Sequence, residues 1–244
     1  MPTRAVVAAL LVLSIIGAAH PARAQDRPPA AMPLTKVLQE AAKDFVGLAS
    51  LDSAKVLGIG GAAALAAHPG DRKVNWQLGG GDYEFLDPGT FVGLGALQGG
   101  VALATYAVGR SMSPNSRAAW IGQELLRAQL VTGVTTFGLK IASQRSRPDG
   151  SDHHSFPSGH ASSVFATAAI LGGNFGWKVA VPAYLGATYV ATSRLHENRH
   201  NVSDVIFGSA LGIAAGRVTL RRDGARVSAA PVVLPGGAGL QMTW

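Results

Sequence analysis

Residues 193–204 read SRLHENRHNVSD, and two chemistries fit them. His196-Glu197-Asn198-Arg199-His200 is H-E-x-x-H, which on a helix places two histidines on one face for zinc with the glutamate as base. The same twelve residues also read S-R-x5-H-x3-D, which needs no metal. A catalytic zinc requires a third protein ligand. No glutamate follows Glu197, Asp204 and Asp223 are the only later acids, and Arg199 sets a cation beside the supposed metal. An extended protease pattern would need Gly at 203 and His at 206, where the chain has Ser203 and Ile206. The decision passes to the segments around this stretch.

Working outward, apolar spacing predicts helices at 159–175, 179–193 and 200–217, preceded by a long helix at 117–141. A further apolar segment covers 91–108 before a polar turn at 110–116. Earlier, Leu34, Val37, Leu38, Ala41, Phe45 and Leu48 mark an amphipathic helix. A second helix, capped by Asp52 or Ser53, runs to about Ala67 and stops at Pro69-Gly70. The Gly-, Asp- and Pro-rich stretch 70–90 is expected to be a long loop. The fold expected is mainly α, a bundle of about six helices. Two apolar runs around Leu234-Pro235-Gly236-Gly237 predict a short C-terminal β-hairpin.

Three polar islands interrupt the helices: Lys140 to Arg147-Pro148, then Pro157-Ser158-Gly159-His160, then Ser193 to Asp204. Each stands at a helix end. A hairpin of 159–175 and 179–193, turning at Trp177-Lys178, brings all three to one end of the bundle. Their residue types suit a phosphate. Lys140, Arg147 and Arg194 neutralise a phosphoryl group, the arginines bidentately. Ser158 offers a hydroxyl, and Gly159 opens a helix whose free N–H groups favour an anion. His200 and Asp204 lie one helical turn apart, so the carboxylate is expected to hold the His200 ring in one tautomer. His160 is placed to protonate a leaving oxygen.

In this pattern the chain resembles the type 2 phosphatidic acid phosphatase (PAP2) superfamily, which includes lipid phosphate phosphatases, bacterial class A acid phosphatases and vanadium haloperoxidases. The family pattern is K-x6-R-P, P-S-G-H, S-R-x5-H-x3-D, and all eleven fixed letters stand here in order within 140–204. The resemblance implies that His200 is the nucleophile forming a phosphohistidine, supported by Asp204. It implies that His160 is the general acid, and that Lys140, Arg147, Ser158, Gly159 and Arg194 hold the phosphate. It implies neither metal nor cofactor. Residues 91–217 would be the catalytic core, with 25–90 and 218–244 outside it.

Composition bounds the rest. The 244 residues are 48% hydrophobic and 14% charged, against about 25% charged in typical domains. No cysteine is present, so thiol chemistry and disulfides are excluded. Met1 to Ala24 reads as a secretory signal, with Arg4 first, an apolar run, and Ala22-Arg23-Ala24 as cleavage site. Its removal takes Arg4 and Arg23 from a formal charge of +7, leaving about +5. The cations are dispersed and aromatics few, which disfavours nucleic acid.

The substrate expected is a lipid phosphate or isoprenyl pyrophosphate. A soluble, broad-specificity periplasmic acid phosphatase, a vanadate-dependent haloperoxidase and a non-enzymatic phosphate binder are the alternatives. Most apolar segments fall short of the roughly 20 residues a span needs. The expected location is therefore the periplasm or envelope, with an integral membrane protein as the alternative.

Overall fold

The computed structural model describes residues 29–79 and 83–223, with the backbone of two strands at 228–234 and 237–243. The expected signal segment 1–24 lies outside the described residues. The helices are α1 (Leu34–Gly47), α2 (Leu51–Ala67), α3 (Asp71–Leu78), α4 (Asp87–Val92), α5 (Gly95–Met112), α6 (Arg117–Ser143), α7 (Gly159–Phe175), α8 (Trp177–His196) and α9 (Val202–Arg222). Eight have eight or more residues and α4 has six, which corrects the expected count of about six. The strands β1 (Ser228–Leu234) and β2 (Gly237–Thr243) pair antiparallel; the fold class, mainly α, rests on the helices alone.

Two local expectations are also corrected. The stretch 70–90 is not one loop: it holds α3, a 3-10 turn at Glu84–Leu86 and the start of α4. Its glycines and prolines punctuate short helices rather than prevent them. Pro88 stands in the first turn of α4, where its missing N–H costs little. Asp71 opens α3, where its charge suits the helix dipole. The cap of α2 is Ser50, whose hydroxyl accepts the Ser53 N–H at 3.4 Å, not Asp52 or Ser53.

α9 is the central element and packs on α7, α2, α6, α8 and α1. Small residues let it approach α7 closely. A Cβ at Gly212 would lie 2.2 Å from the Ser162 carbonyl oxygen, and one at Gly208 would lie 2.6 Å from that of Ser158. The chain reverses between α7 and α8 at Gly176, with φ of 77°, one residue earlier than expected. The left-handed backbone there suits glycine. This hairpin returns the C-terminal end of α8 to the N-terminal end of α7.

Far from that end, Arg127 lies wholly buried between two carboxylates. Its Nε and Nη2 donate to Asp44 of α1 at 2.7 and 2.8 Å, and its Nη1 donates to Asp223, just past α9, at 2.6 Å. The cluster ties the first helix to α6 and to the end of α9. Breaking a buried pair leaves a charge without compensation. Arg127→Met is therefore expected to lower unfolding free energy by about 3–5 kcal/mol in denaturant titrations, with Asp44→Asn in the same chain recovering part of the loss.

Candidate active site

The three polar islands meet at one end of the bundle. Ser158 N–H donates to the Asp204 carbonyl at 3.0 Å. Arg147 Nη1 donates to the Arg199 carbonyl at 3.0 Å. His200 Nδ1 lies 2.7 Å from the Ser155 carbonyl oxygen. Each island is set by a helix terminus: α6 ends at Gln144 in a left-handed conformation, Ser158 caps α7, and Asn201 with Asp204 forms a capping box on α9.

His200 is 2% exposed. Its Nδ1 can reach the Ser155 carbonyl only as a donor, so the ring carries its proton there and keeps Nε2 as the basic nitrogen. Burial, together with the charges of Lys140, Arg147 and Arg194, pushes its pKa well below the usual histidine value. The ring is therefore neutral at neutral pH. All three cations add positive potential at this one imidazole.

Asp204 does not touch the His200 ring as expected. Its Oδ2 accepts the Ser155 hydroxyl at 2.5 Å and the Asn201 N–H at 2.8 Å, and its Oδ1 accepts Arg145 Nη1 at 2.5 Å. The carboxylate is committed to the first turn of α9, so its support for His200 runs through Ser155.

Arg194 is 3% exposed. Its Nη1 donates to Thr90 Oγ1 at 2.6 Å and to Glu197 at 2.9 Å, while its buried Nε has no hydrogen-bond partner among the described residues. Arg147 pairs with Asp152 at 2.7 Å. Lys140 Nζ donates to the His154 carbonyl. Burial and then Arg147 lower its pKa to about 8. His160 Nε2 donates to the Thr90 carbonyl at 3.1 Å, and burial followed by the Arg194 charge lowers its pKa to about 4.

The zinc reading of 196–200 fails on geometry. α8 ends at His196, the chain turns through Asn198 at φ of 52°, and α9 starts only at Val202. The two histidines do not share a helical turn. His196 Nδ1 faces the Leu78 carbonyl at 3.0 Å, and Glu197 holds Arg194. His153 and His154 are exposed, as a loop predicts.

Three residues at this site escaped sequence reasoning. Thr90 lies in the stretch expected to be a loop. Asp71 lies there too, and it accepts Arg145 Nη2 at 2.7 Å. Arg145 sits among the unspecified positions between Lys140 and Arg147. An acid directly after Pro69-Gly70, suited to open a short helix, was the available signal for Asp71; nothing in the sequence pattern marks Thr90.

Residues 134–227 match the PAP2 superfamily. The chain is 35% identical over 101 residues to the lipid A 1-phosphatase of Porphyromonas gingivalis, a stretch covering 40% of this chain. It spans only 21% of that relative's length. No solved structure matches the chain.

Half-buried His160 and buried His200 each bind a proton more weakly in the folded chain than in the unfolded one. As pH falls below about 6.5, the unfolded chain takes up protons first, and stability falls until folded His160 itself titrates near 4. The melting temperature is expected to drop between pH 7.5 and 5. His160→Gln and His200→Gln should each flatten that drop, and His153→Gln in the exposed loop should not.

Proposed function

With residues 134–227 matching the PAP2 superfamily, we propose that the protein is a phosphoric ester hydrolase acting on lipid phosphates through a covalent phosphohistidine. The observation that carries this reading is the buried His200 ring, held by the Ser155 carbonyl with its proton at Nδ1 and kept neutral by burial and by the field of Lys140, Arg147 and Arg194. A nucleophilic imidazole needs a free lone pair at a defined nitrogen, and a phosphoryl group needs positive charge aimed at its oxygens.

In the proposed cycle, Lys140, Arg147 and Arg194 bind the phosphoryl oxygens, helped by the N-terminal end of α7 at Ser158 and Gly159. The unpartnered Arg194 Nε is a donor for one of them. His200 Nε2 attacks phosphorus in line, and the bond from phosphorus to the leaving oxygen breaks. The Ser155 carbonyl stabilises the positive charge that develops on the imidazole. His160 gives its proton to the departing alkoxide. In the second half-reaction His160 takes a proton from water, whose oxygen displaces His200. Burial and then the Arg194 charge depress the His160 pKa; a bound phosphate dianion counters the charge part and so favours the protonated acid.

Two features favour a lipid. A mostly apolar cavity of about 520 Å³ adjoins the site end, lined by Ala64, Leu65, Phe156 and Phe207 together with the polar His68, Ser143, Arg145 and Ser203. The outer helices also carry no charge across 56–67, 95–109, 128–139 and 179–193. These bands expose Leu65, Val101, Val108, Val134, Phe137 and Leu185 to the outside. Such apolar area is large for a soluble surface. By length and composition, one described helix can cross a bilayer, α9, or up to three if each bent pair is one span. We place the protein in the cell envelope, exported and held on lipid by this face.

The test is a panel of lipid and water-soluble phosphomonoesters assayed in excess EDTA. Lipid phosphates are expected to give a kcat/KM at least about tenfold higher, without loss to chelator. His200→Ala should lower turnover by at least about 10³-fold. Since kcat/KM reports the free enzyme, it should fall above pH about 8 as Lys140 loses its proton. Full activity of His200→Ala, or abolition by EDTA, would overturn the reading. Equal rates on soluble esters, with the protein released from membranes by alkaline extraction, would favour a soluble acid phosphatase.

A further inference from the structure

We propose that Asp71 and Arg145 are positioning residues for His200, linked to it by a carboxylate–guanidinium–carboxylate bridge, Asp71–Arg145–Asp204. The kinetic part of this proposal rests on the phosphatase reading above; the geometric part does not. Asp71 lies outside 134–227, so the segment before the matched region completes the site.

The bridge is continuous. Asp71 Oδ2 accepts Arg145 Nη2 at 2.7 Å and the Ser203 hydroxyl at 2.6 Å, and its Oδ1 accepts the Ser203 N–H at 2.9 Å. Arg145 Nη1 donates to Asp204 at 2.5 Å and to Ser203 Oγ at 2.7 Å. Asp204 then accepts the Ser155 hydroxyl, and the Ser155 carbonyl holds His200 Nδ1. Arg145 grips Ser155 a second time, since its own carbonyl accepts the Ser155 N–H at 2.9 Å. Ser155 is fully buried, and both its backbone and side chain are tied to this one network.

Charge explains why the guanidinium is needed. Asp71 and Asp204 are 5% and 0% exposed, and both bind the same fork. Without Arg145, two buried carboxylates lose their shared cation. Arginine suits the task because its rigid planar fork reaches two carboxylates at once, which a lysine ammonium on a flexible stem does less well. The arrangement also explains why Asp204 stabilises His200 without touching it. It fixes the carbonyl that selects the tautomer, as outer partners do for metal-bound histidines.

The experiment uses the full chain with 15N-labelled histidine, comparing wild type with Asp71→Asn, Asp71→Glu and Arg145→Gln. Because Arg145→Gln alone strands two carboxylates and can unfold, the double variant Asp71→Asn/Arg145→Gln is measured beside it. With phosphatidic acid in detergent micelles, Asp71→Asn is expected to lower kcat about 10–100-fold and to leave KM within about threefold. Asp71→Glu is expected to restore most of the loss. In nitrogen-shift NMR, His200 should be an Nδ1–H tautomer in wild type and a mixture of tautomers in Asp71→Asn and in the double variant.

The proposal is overturned if the His200 ring signal is unchanged in both Asp71→Asn and the double variant. It is equally overturned if Asp71→Glu loses as much as Asp71→Asn, or if the loss appears only in KM. Should wild type release no phosphate while the ring signal still shifts in Asp71→Asn, the phosphatase reading fails and the positioning role stands.

Discussion

The pocket depends on the Asp204 carboxylate, a charge buried completely in the first turn of α9. An isolated carboxylate there would cost several kcal/mol. It is held by an Arg145 guanidinium, by the Ser155 hydroxyl and by the Asn201 N–H, and the positive end of α9 adds to these. Meanwhile its backbone carbonyl accepts the Ser158 N–H. One residue thus caps α9, fixes the start of α7 and orients the strip of chain that faces His200. Each of the three polar islands contributes a group to this joint, so their convergence is a matter of bonds rather than of mere helix direction.

Around the joint, burial and positive charge act together. Lys140, Arg147 and Arg194 all depress proton binding on His160 and His200. A cationic pocket holding two neutral imidazoles is poorly arranged for a cation and well arranged for a dianion. The opposite part of the molecule handles charge differently. There Arg127 is closed off between Asp44 and Asp223, and it serves to fasten α1 to the bundle. Between these two charged regions the outer helix faces are apolar, which accords with a lipid environment.

Much of this was legible in the sequence because it followed from period and spacing. The helices at 159–175 and 117–141 appear nearly as predicted, and the three islands that hold the eight candidate residues meet at one end of the bundle. What escaped was contact across long separations. The apolar face of α3 is only Val74 and Leu78, and Asp71 binds partners at Arg145 and Ser203, 74 and 132 positions away. The one-turn spacing of His200 and Asp204 points to a direct contact that sets the ring's tautomer, whereas the Ser155 carbonyl sets it. The helix begins only after His200, at Val202, so that spacing does not apply. The H-E-x-x-H pattern misleads for the same reason: a helix end falls inside it.

The central claim is that His200 becomes covalently phosphorylated during turnover. It is tested most directly by mixing the protein with a phosphate-labelled lipid ester, quenching rapidly in alkali, where a phosphohistidine survives, and mapping the label. Cleavage after Arg199 and Arg217 isolates residues 200–217, a peptide whose one histidine is His200. The account predicts label in that peptide, stable to alkali and lost in acid. Hydrolysis with no label there in rapid-quench samples, or label on another residue, would contradict it.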